Sequence, residues 1–329
     1  MAEQKPFVFV TRELPGQALS RLREKAEVEV WPGAASPPYE EIVHRAVRAT
    51  ALITLLTDRI DAPLLQKASK LKVISQYAVG LDNIDVAAAT KLGIAVTHTP
   101  GVLTDATADL AFALLMATAR HLVAGDALVR SGQWQGWQPS LLLGAPVWGA
   151  TIGIVGMGRI GRAMAERARG FHMRILYWSR NRVPEEEARG AVFASLDELL
   201  SQSDFISLHV PLNEGTRGLI GRREFGLMKP GAILINTARG QVVDEEALVE
   251  GLQRGQPAFA GLDVFNREPL PPGHPLLSLP NVVLAPHLGS ATRPTRETMA
   301  DMVVDAVLDV LAGRRPQHLA NPAVFEDRR

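Results

Sequence analysis

Short apolar runs alternate with amphipathic segments along residues 1–100. The amphipathic segments predict helices near 15–25, 39–48, 62–70 and 85–91, the last one capped by Asp85 and ended by Gly93. Strands that alternate with helices of this length form parallel sheets. The predicted strands are Phe7–Val10, Glu27–Val30, Ala51–Leu55, Leu71–Ser75 and Ala95–Thr97.

The second part of the chain repeats the alternation after an interruption. A long apolar stretch, Asp105 to Arg130, predicts one helix, and the Gly-, Trp- and Pro-rich segment 131–148 predicts a loop. Six further strands then follow, as in a full dinucleotide-binding domain, before a last helix at 294–311 that we expect to pack on the first domain. These strands are predicted at 151–155, 173–178, 204–210, 232–236, 258–264 and 281–285.

The pattern predicts an α/β protein with two doubly wound parallel-sheet domains. At 329 residues the chain exceeds the size at which one hydrophobic core usually stops growing. We expect a Rossmann dinucleotide-binding domain at 101–289, inserted in a flavodoxin-like substrate-binding domain made of 1–100 and 290–329, with hinges near residues 100 and 290.

Composition narrows the function classes. Acidic and basic residues are equal in number, at 35 each, so no charge excess favours nucleic acid as a partner. No apolar run approaches the ~20 residues that span a bilayer, and the N-terminus lacks a signal-peptide core. The chain has no cysteine and no HxxEH or HxxxH spacing, so we expect no metal. A cytoplasmic protein that contacts no membrane is expected.

The glycine-rich turn at 156–161 follows a β-branched strand and precedes a helix. Gly156 permits a tight turn, Gly158 lets the backbone approach a pyrophosphate, and Gly161 lets the helix pack close to the strand. Arg159 and Ile160 begin the helix, whose N-terminal N–H groups attract the anion. The turn therefore predicts dinucleotide binding.

The end of the next strand indicates which dinucleotide. NAD enzymes place an acid there for the ribose 2′-hydroxyl, whereas this chain has Ser179, Arg180 and Asn181. An acid repels the 2′-phosphate of NADP, while a hydroxyl and a guanidinium bind it. We expect NADP, with NAD as second choice; a solvated basic turn is the alternative interpretation.

Three chemically active side chains, Arg239, Glu268 and His287, follow three of the predicted strands. Each alone has an ordinary structural explanation, but in such sheets ligands bind at the carboxyl ends of the strands, which is where these three residues are predicted to lie. Together they suit hydride transfer to a 2-keto acid. His287 would deliver the proton, Glu268 would favour the protonated imidazole, and Arg239 would anchor the substrate carboxylate. Alternative histidines, without a carboxylate placed as Glu268 is, are His98, His209 and His274.

From Leu52 to Asn321 the chain resembles the D-isomer-specific 2-hydroxyacid dehydrogenases. The matching motifs are Val79–Asp85, Thr107–Asp109, Gly156–Gly161, Asn236–Gly240, Gly261–Pro269 and Pro286–Thr292. Within the family the resemblance is greatest to the glyoxylate/hydroxypyruvate reductases, because of Gly132–Pro139, the Trp178-Ser179-Arg180 turn and Pro286–Thr292. Asp109 replaces the usual Glu of its motif.

The resemblance implies reduction of glyoxylate and hydroxypyruvate to glycolate and D-glycerate by a homodimer, with NADPH and possibly NADH. It assigns catalysis to Arg239, Glu268 and His287. Substrate contacts are implied for Leu56, Val79, Gly80 and Trp137, the last from the partner subunit, and the helix of Thr107 resembles a dimerisation helix. Further cofactor contacts are implied for Thr107, Val210, Pro211, Thr237, Ala238, Asp263 and Gly289.

Other members of the family remain open. Phosphoglycerate-oxidising enzymes share the three catalytic residues but many carry an extra regulatory domain, and phosphite-oxidising enzymes share them too. A formate-oxidising relative would have Gln where Glu268 stands. A different class, the nucleotide-sensing corepressors, binds NAD(H) and partner proteins but typically has extended tails.

Overall fold

The computed structural model describes residues 5–188 and 190–326; the first four residues, which belong to the segment tested for a signal peptide, lie outside them. The chain divides into two compact units. The first unit contains the residues up to Leu103 and those from Ala291 onward, and the second unit is Thr104–Ser290.

The sheet of the first unit has five parallel strands in the order β2-β1-β3-β4-β5. This is the flavodoxin-like order, so the predicted fold class is confirmed for this unit. The strands are β1 (Phe7–Val10), β2 (Glu27–Val30), β3 (Ala51–Thr54), β4 (Val73–Gln76) and β5 (Ala95–Thr97).

The sheet of the second unit has seven parallel strands in the order β12-β11-β10-β9-β6-β7-β8. This is the Rossmann order with one strand added beyond β11, and it confirms the predicted fold class. The strands are β6 (Thr151–Val155), β7 (Arg174–Trp178), β8 (Val192–Phe193), β9 (Phe205–Leu208), β10 (Ile233–Asn236), β11 (Phe259–Leu262) and β12 (Val282–Leu284). The sequence pattern predicted six strands and missed β8, because two residues are too short to show a period.

Helices connect most of the strands and cover both faces of each sheet. They are α1 (Ala18–Lys25), α2 (Tyr39–Ala46), α3 (Ala62–Lys67), α4 (Val86–Lys91), α5 (Thr104–Ala119), α6 (Leu122–Arg130), α7 (Arg159–Gly170), α8 (Glu185–Ala188), α9 (Leu196–Gln202), α10 (Arg222–Leu227), α11 (Glu245–Arg254), α12 (Arg293–Leu311) and α13 (Ala323–Glu326).

Burial on both faces explains why strands such as β1 are apolar throughout. Phe7 and Phe9 enter one core of the first unit, while Val8 and Val10 enter the core on the opposite face. Alternation of this kind buries every residue of a central parallel strand. Helix α12 packs on α1 and β4 and closes the second of these cores.

The apolar stretch 105–130 forms two helices instead of the single helix that the sequence predicted. Helices α5 and α6 bend by 63° at a break around His121, whose φ of 51° is left-handed and cannot continue an α-helix. The N–H of Ala145 donates to the carbonyl of Ala119 and so helps to end α5. Within the described residues, no single helix is long and apolar enough to cross a membrane; α5 and α6 reach that length only as this bent pair.

Candidate active site

The three predicted catalytic residues follow strands of one parallel sheet and therefore lie at its carboxyl edge. Arg239 follows β10, Glu268 follows β11, and His287 follows β12. These three strands are neighbours in the sheet.

The structure brings Glu268 and His287 into direct contact. Nδ1 of His287 lies 2.7 Å from Oε2 of Glu268, and the other oxygen of Glu268 accepts a hydrogen bond from the N–H of Phe265 at 3.1 Å. Both side chains are about one-third exposed or less, at 31% and 27%. With Nδ1 engaged by the carboxylate, Nε2 is the ring nitrogen that can face a substrate.

The electrostatics keep Glu268 ionised. Burial by itself raises the pKa of the Glu268 carboxyl, but the hydrogen bond and charge of His287, the N–H of Phe265 and the charge of Arg239 together lower that pKa below its ordinary value. A carboxylate that remains charged accepts a hydrogen bond from Nδ1 and fixes the orientation of the ring. The pair therefore has the geometry of a proton-transfer site.

The turn that carries His287 is held by Asp263, a completely buried residue. The carboxylate of Asp263 accepts from the N–H of Leu288 at 2.6 Å and from the N–H of Gly289 at 2.8 Å, while its carbonyl accepts from the N–H of His287 at 2.9 Å. His287 itself adopts a left-handed φ of 55°, a conformation that needs such support. Burial raises the pKa of the Asp263 carboxyl, although the N–H groups of Leu288 and Gly289 favour its charged form.

Two nearby residues of the chain, Asn236 and Gly240, determine where Arg239 lies. Asn236, buried at the end of β10, accepts from the N–H of Ala238 at 3.0 Å and donates to the carbonyl of Arg239 at 2.9 Å. A Cβ atom on Gly240 would collide with the backbone of Phe265 and Asn266. The glycine therefore lets the Arg239 turn pack directly on the loop that leads to Glu268.

The glycine-rich turn has the geometry that a dinucleotide needs. Gly156 has a φ of 103°, and a Cβ there would lie 2.7 Å from the carbonyl carbon of His209, whereas a Cβ on Gly161 would collide with the carbonyl oxygen of Gly156. Around Gly158, apart from its own chain neighbours, no heavy atom of the described residues lies within 4 Å of such a Cβ, so this side of the turn is open.

Other residues at this edge also suit a bound nucleotide. Among the described residues, no side chain caps α7 at Gly158, so the first N–H groups of the helix keep their capacity to bind an anion. The hydroxyl of Thr237, after β10, is buried and has no hydrogen-bond partner in the part of the chain that the structure describes. Buried polar groups are normally satisfied, so an unpaired hydroxyl at a ligand edge fits a missing partner.

Comparison with known proteins identifies the family. Residues 112–289 match the family model described as "D-isomer specific 2-hydroxyacid dehydrogenase, NAD binding domain". The chain is 52% identical, over 98% of both chains, to a protein named glyoxylate reductase from Thermococcus litoralis. The chain belongs to the D-isomer-specific 2-hydroxyacid dehydrogenases. It is thus an oxidoreductase.

Solved structures agree with this assignment. A crystal structure of a Thermus thermophilus protein has a TM-score of 0.91 and 53% identity, covering 95% of this chain and 99% of that chain. An NADPH-dependent glyoxylate/hydroxypyruvate reductase from Sinorhizobium meliloti, solved with NADP and malonate, has a TM-score of 0.85 and 33% identity, covering 97% and 98%.

For this 2-hydroxyacid dehydrogenase, the structure brings together further residues predicted to contact the cofactor. A Cβ on Gly289 would lie 3.4 Å from Thr107 and 3.5 Å from the Asp263 carboxylate, so these three residues line one corner. Val210 and Pro211 follow β9 next to Gly156, and Ala238 follows Thr237 after β10.

In the turn after β7, the Ser179 hydroxyl that was predicted to bind the cofactor already has a partner. The hydroxyl of Ser179 donates to the carbonyl of Asn181 at 2.6 Å, within its own turn, and Arg180 and Asn181 are exposed. The guanidinium of Arg182 lies 5.9 Å from the centre of the Phe193 ring. A 2′-phosphate would therefore have to draw the Ser179 hydroxyl away from Asn181.

The alternative histidines have other partners. Burial lowers the pKa of His209 to about 4, so this ring is neutral at neutral pH, and it lies 2.8 Å from the Ser207 hydroxyl. His98 contacts the carbonyl of Val79 at 2.9 Å. His274 also has a carboxylate neighbour, but it is placed differently from Glu268: Nε2 of His274, not Nδ1, lies 3.3 Å from Glu245, because α11 begins beside the loop of His274.

Four predicted site residues belong to other segments of the chain. Leu56 and Val79–Gly80 belong to the first unit, in the loops after β3 and β4. Trp137 lies in the segment after α6 and is 82% exposed. Among the described residues, no group of His, Cys, Asp and Glu side chains is arranged to hold a metal ion.

Sequence reasoning missed the supporting roles of Asn236 and Asp263. The sequence did contain a signal for both roles, because each residue is a polar residue at the end of an apolar strand. Such a residue, once buried, must form hydrogen bonds with nearby backbone groups. Asn236 was identified only as part of a motif, and Asp263 only as a cofactor contact.

Proposed function

We propose that this dehydrogenase reduces glyoxylate and hydroxypyruvate to glycolate and D-glycerate with NADPH, and more weakly with NADH. The observation that carries the proposal is the contact between His287 and an ionised Glu268 at the sheet edge that also presents Arg239 and the Gly156–Gly161 turn. The curated relatives named glyoxylate reductase, at about half identity over nearly the whole chain, support the substrate.

The chemistry of the proposal follows from the charges that develop. The nicotinamide cofactor, when bound, supplies the hydride. Arg239 presents a planar fork that binds the substrate carboxylate through two parallel hydrogen bonds. As negative charge grows on the carbonyl oxygen, Nε2 of His287 donates its proton to that oxygen. The Glu268 carboxylate at Nδ1 stabilises the imidazolium until the proton leaves, and in the reverse direction the neutral ring accepts the proton.

The preference for NADPH is proposed from the turn after β7. Ser179 and Arg180 offer a hydroxyl and a guanidinium where an acid would repel the 2′-phosphate. The exposure of Arg180 and Asn181 leaves them accessible to a nucleotide. The Sinorhizobium meliloti relative that is described as NADPH-dependent supports the same choice.

We also propose that the protein is a homodimer. Helix α6 has no buried residue, and exposed apolar side chains occur both on it and in the segment that follows it. Exposed apolar side chains that cluster in this way mark interaction surfaces. They are Leu122, Val123, Val129, Trp134, Trp137 and Leu143.

A spectrophotometric panel tests the proposal. Glyoxylate, hydroxypyruvate and pyruvate are reduced with NADPH and NADH, while phosphite and phosphoglycerate are offered with the oxidised cofactors. We expect the highest kcat/KM with NADPH and glyoxylate or hydroxypyruvate. Oxidation of phosphite or phosphoglycerate at higher kcat/KM would assign another activity in the family. Cofactor binding without turnover of any substrate would instead indicate a nucleotide-sensing protein.

A further inference from the structure

We propose that Asn83 is a positioning residue that holds two substrate-binding loops of the first unit together. The loops are 55–58, after β3, and 77–83, after β4. Leu56 lies in the first loop, and Val79 and Gly80 lie in the second. The inference rests on the proposed function, since the resemblance assigns substrate contacts to these three residues.

The side-chain amide of Asn83 joins the two loops through three hydrogen bonds. Its Nδ2 donates to the carbonyl of Leu55 at 3.0 Å and to the carbonyl of Asp58 at 2.7 Å. Its Oδ1 accepts from Nε2 of Gln76 at 2.7 Å. Two donors and an acceptor are used together, so the amide has one orientation and the Leu56 turn is held from both sides.

The partners of Asn83 are themselves fixed. Gln76, completely buried at the end of β4, accepts from the Thr54 hydroxyl at 2.6 Å and lies 3.4 Å from the carbonyl of Gly80. The carboxylate of the buried Asp58 accepts from the N–H of Leu55 at 2.7 Å and from the hydroxyl of Thr11 after β1. The network therefore connects the carboxyl ends of three strands of this sheet.

The second loop is also held at its other end. Nδ1 of His98 lies 2.9 Å from the carbonyl of Val79, and the N–H of Thr99 donates to the carbonyl of Ala78 at 2.9 Å. These contacts use carbonyl oxygens and leave the N–H groups of Val79 and Gly80 pointing away from them. Asn83 then sets where the Leu56 turn lies relative to those N–H groups.

Two substitutions separate the hydrogen bonds of Asn83 from its volume. Asn83→Ala removes both, whereas Asn83→Asp keeps the size and the acceptor for Gln76 but puts an oxygen against two carbonyls. Asn321 provides a matched control in the same unit. It is buried, accepts from the N–H of Val96 at 2.8 Å, and donates to the carbonyl of Ile94 at 2.9 Å and to the Thr90 hydroxyl at 3.0 Å. These bonds of Asn321 hold the backbone of β5 and involve neither loop 55–58 nor loop 77–83.

Steady-state kinetics of the full-length enzyme give the first measurement. In Asn83→Ala and Asn83→Asp we expect the KM of the 2-keto acid to rise by at least about tenfold, because small displacements of positioning groups are costly. The KM of NADPH should stay within about twofold of the wild-type value. Asn321→Ala should lower Tm as much as Asn83→Ala does and leave both KM values unchanged.

Hydrogen–deuterium exchange of segments 55–58 and 77–83 gives a second measurement that needs no activity. Both Asn83 variants should exchange faster in these segments, and Asn321→Ala should not. An unchanged substrate KM in an active Asn83→Ala enzyme, or unchanged exchange in both loops, would overturn the inference. Failure of the proposed function would give a different result, namely a wild-type enzyme that turns over no 2-keto acid. In that case the exchange measurement alone tests whether Asn83 holds the two loops together.

Discussion

The turn after β12 and the turn after β7 lie on one parallel sheet, but they are built differently. At the first, Asp263 binds the N–H groups of Leu288 and Gly289, and Glu268 binds the His287 ring. At the second, the Ser179 hydroxyl donates within its own turn, and Arg180 and Asn181 are exposed. A proton donor must be in place before the substrate arrives, whereas a turn that binds a phosphate can be ordered by the ligand itself.

The first prediction tests the pre-arranged region where the expected effect is largest. Arg239→Lys replaces a planar fork with a point charge and loses the second hydrogen bond to the substrate carboxylate. We expect kcat/KM for the 2-keto acid to fall by about 10²–10³, with the KM of NADPH nearly unchanged. Arg223→Lys, at an exposed arginine paired with Asp197, is the control and should have no effect. Near-normal turnover in Arg239→Lys would remove Arg239 from the site.

The second prediction tests the turn that is exposed. Ser179→Asp introduces repulsion against the 2′-phosphate and offers an acceptor to the ribose of NAD. A charge-assisted hydrogen bond contributes roughly 1.5–3 kcal/mol, so we expect the ratio of kcat/KM for NADPH over NADH to fall by about ten- to a hundredfold.

Two arginine variants sharpen the test of this turn. Arg180→Ala should lower the same ratio, whereas Arg182→Ala should not, because Arg182 lies over the Phe193 ring. Equal kcat/KM values for the two cofactors in the wild-type enzyme would mean that the turn is only a solvated basic surface.

The third prediction concerns the pH dependence that Glu268 imposes. The pKa of Glu268 lies below the ordinary value of 4.5, so this carboxylate is ionised at neutral pH, and we expect its charge to stabilise the imidazolium that donates the proton. Reduction needs that proton, and kcat/KM therefore falls as the pH rises. In Glu268→Gln the negative charge is absent, and the fall should move to lower pH. The measurement is kcat/KM for reduction from acid to alkaline pH, and an unmoved profile would show that the two side chains are not coupled.

Both regions also show what the sequence could reveal. The parallel sheets followed from the alternation of apolar runs with helical segments, and the predicted strands already placed Arg239, Glu268 and His287 after strand ends. The packing of Gly240 on Phe265 and the bonds of Asp263 to the His287 turn join segments distant in sequence, and no local pattern encodes them. The bend at His121 was missed for the same reason, since the segment that ends α5 lies beyond α6.

The smallest expected effect concerns Trp137, which belongs to neither turn. An indole that is 82% exposed leaves a large apolar area in water, and the resemblance implies that it contacts the substrate site of the partner subunit. Trp137→Ala should then raise the KM of the 2-keto acid by about fivefold, equivalent to roughly 1 kcal/mol, and leave the KM of NADPH unchanged.

Trp148 provides the control, because it is also exposed but packs on His172 of its own chain at 4.2 Å. Trp148→Ala should leave both KM values unchanged. Sedimentation of the wild-type enzyme completes the test, since a fully active monomer would leave Trp137 without a partner site and contradict the assignment.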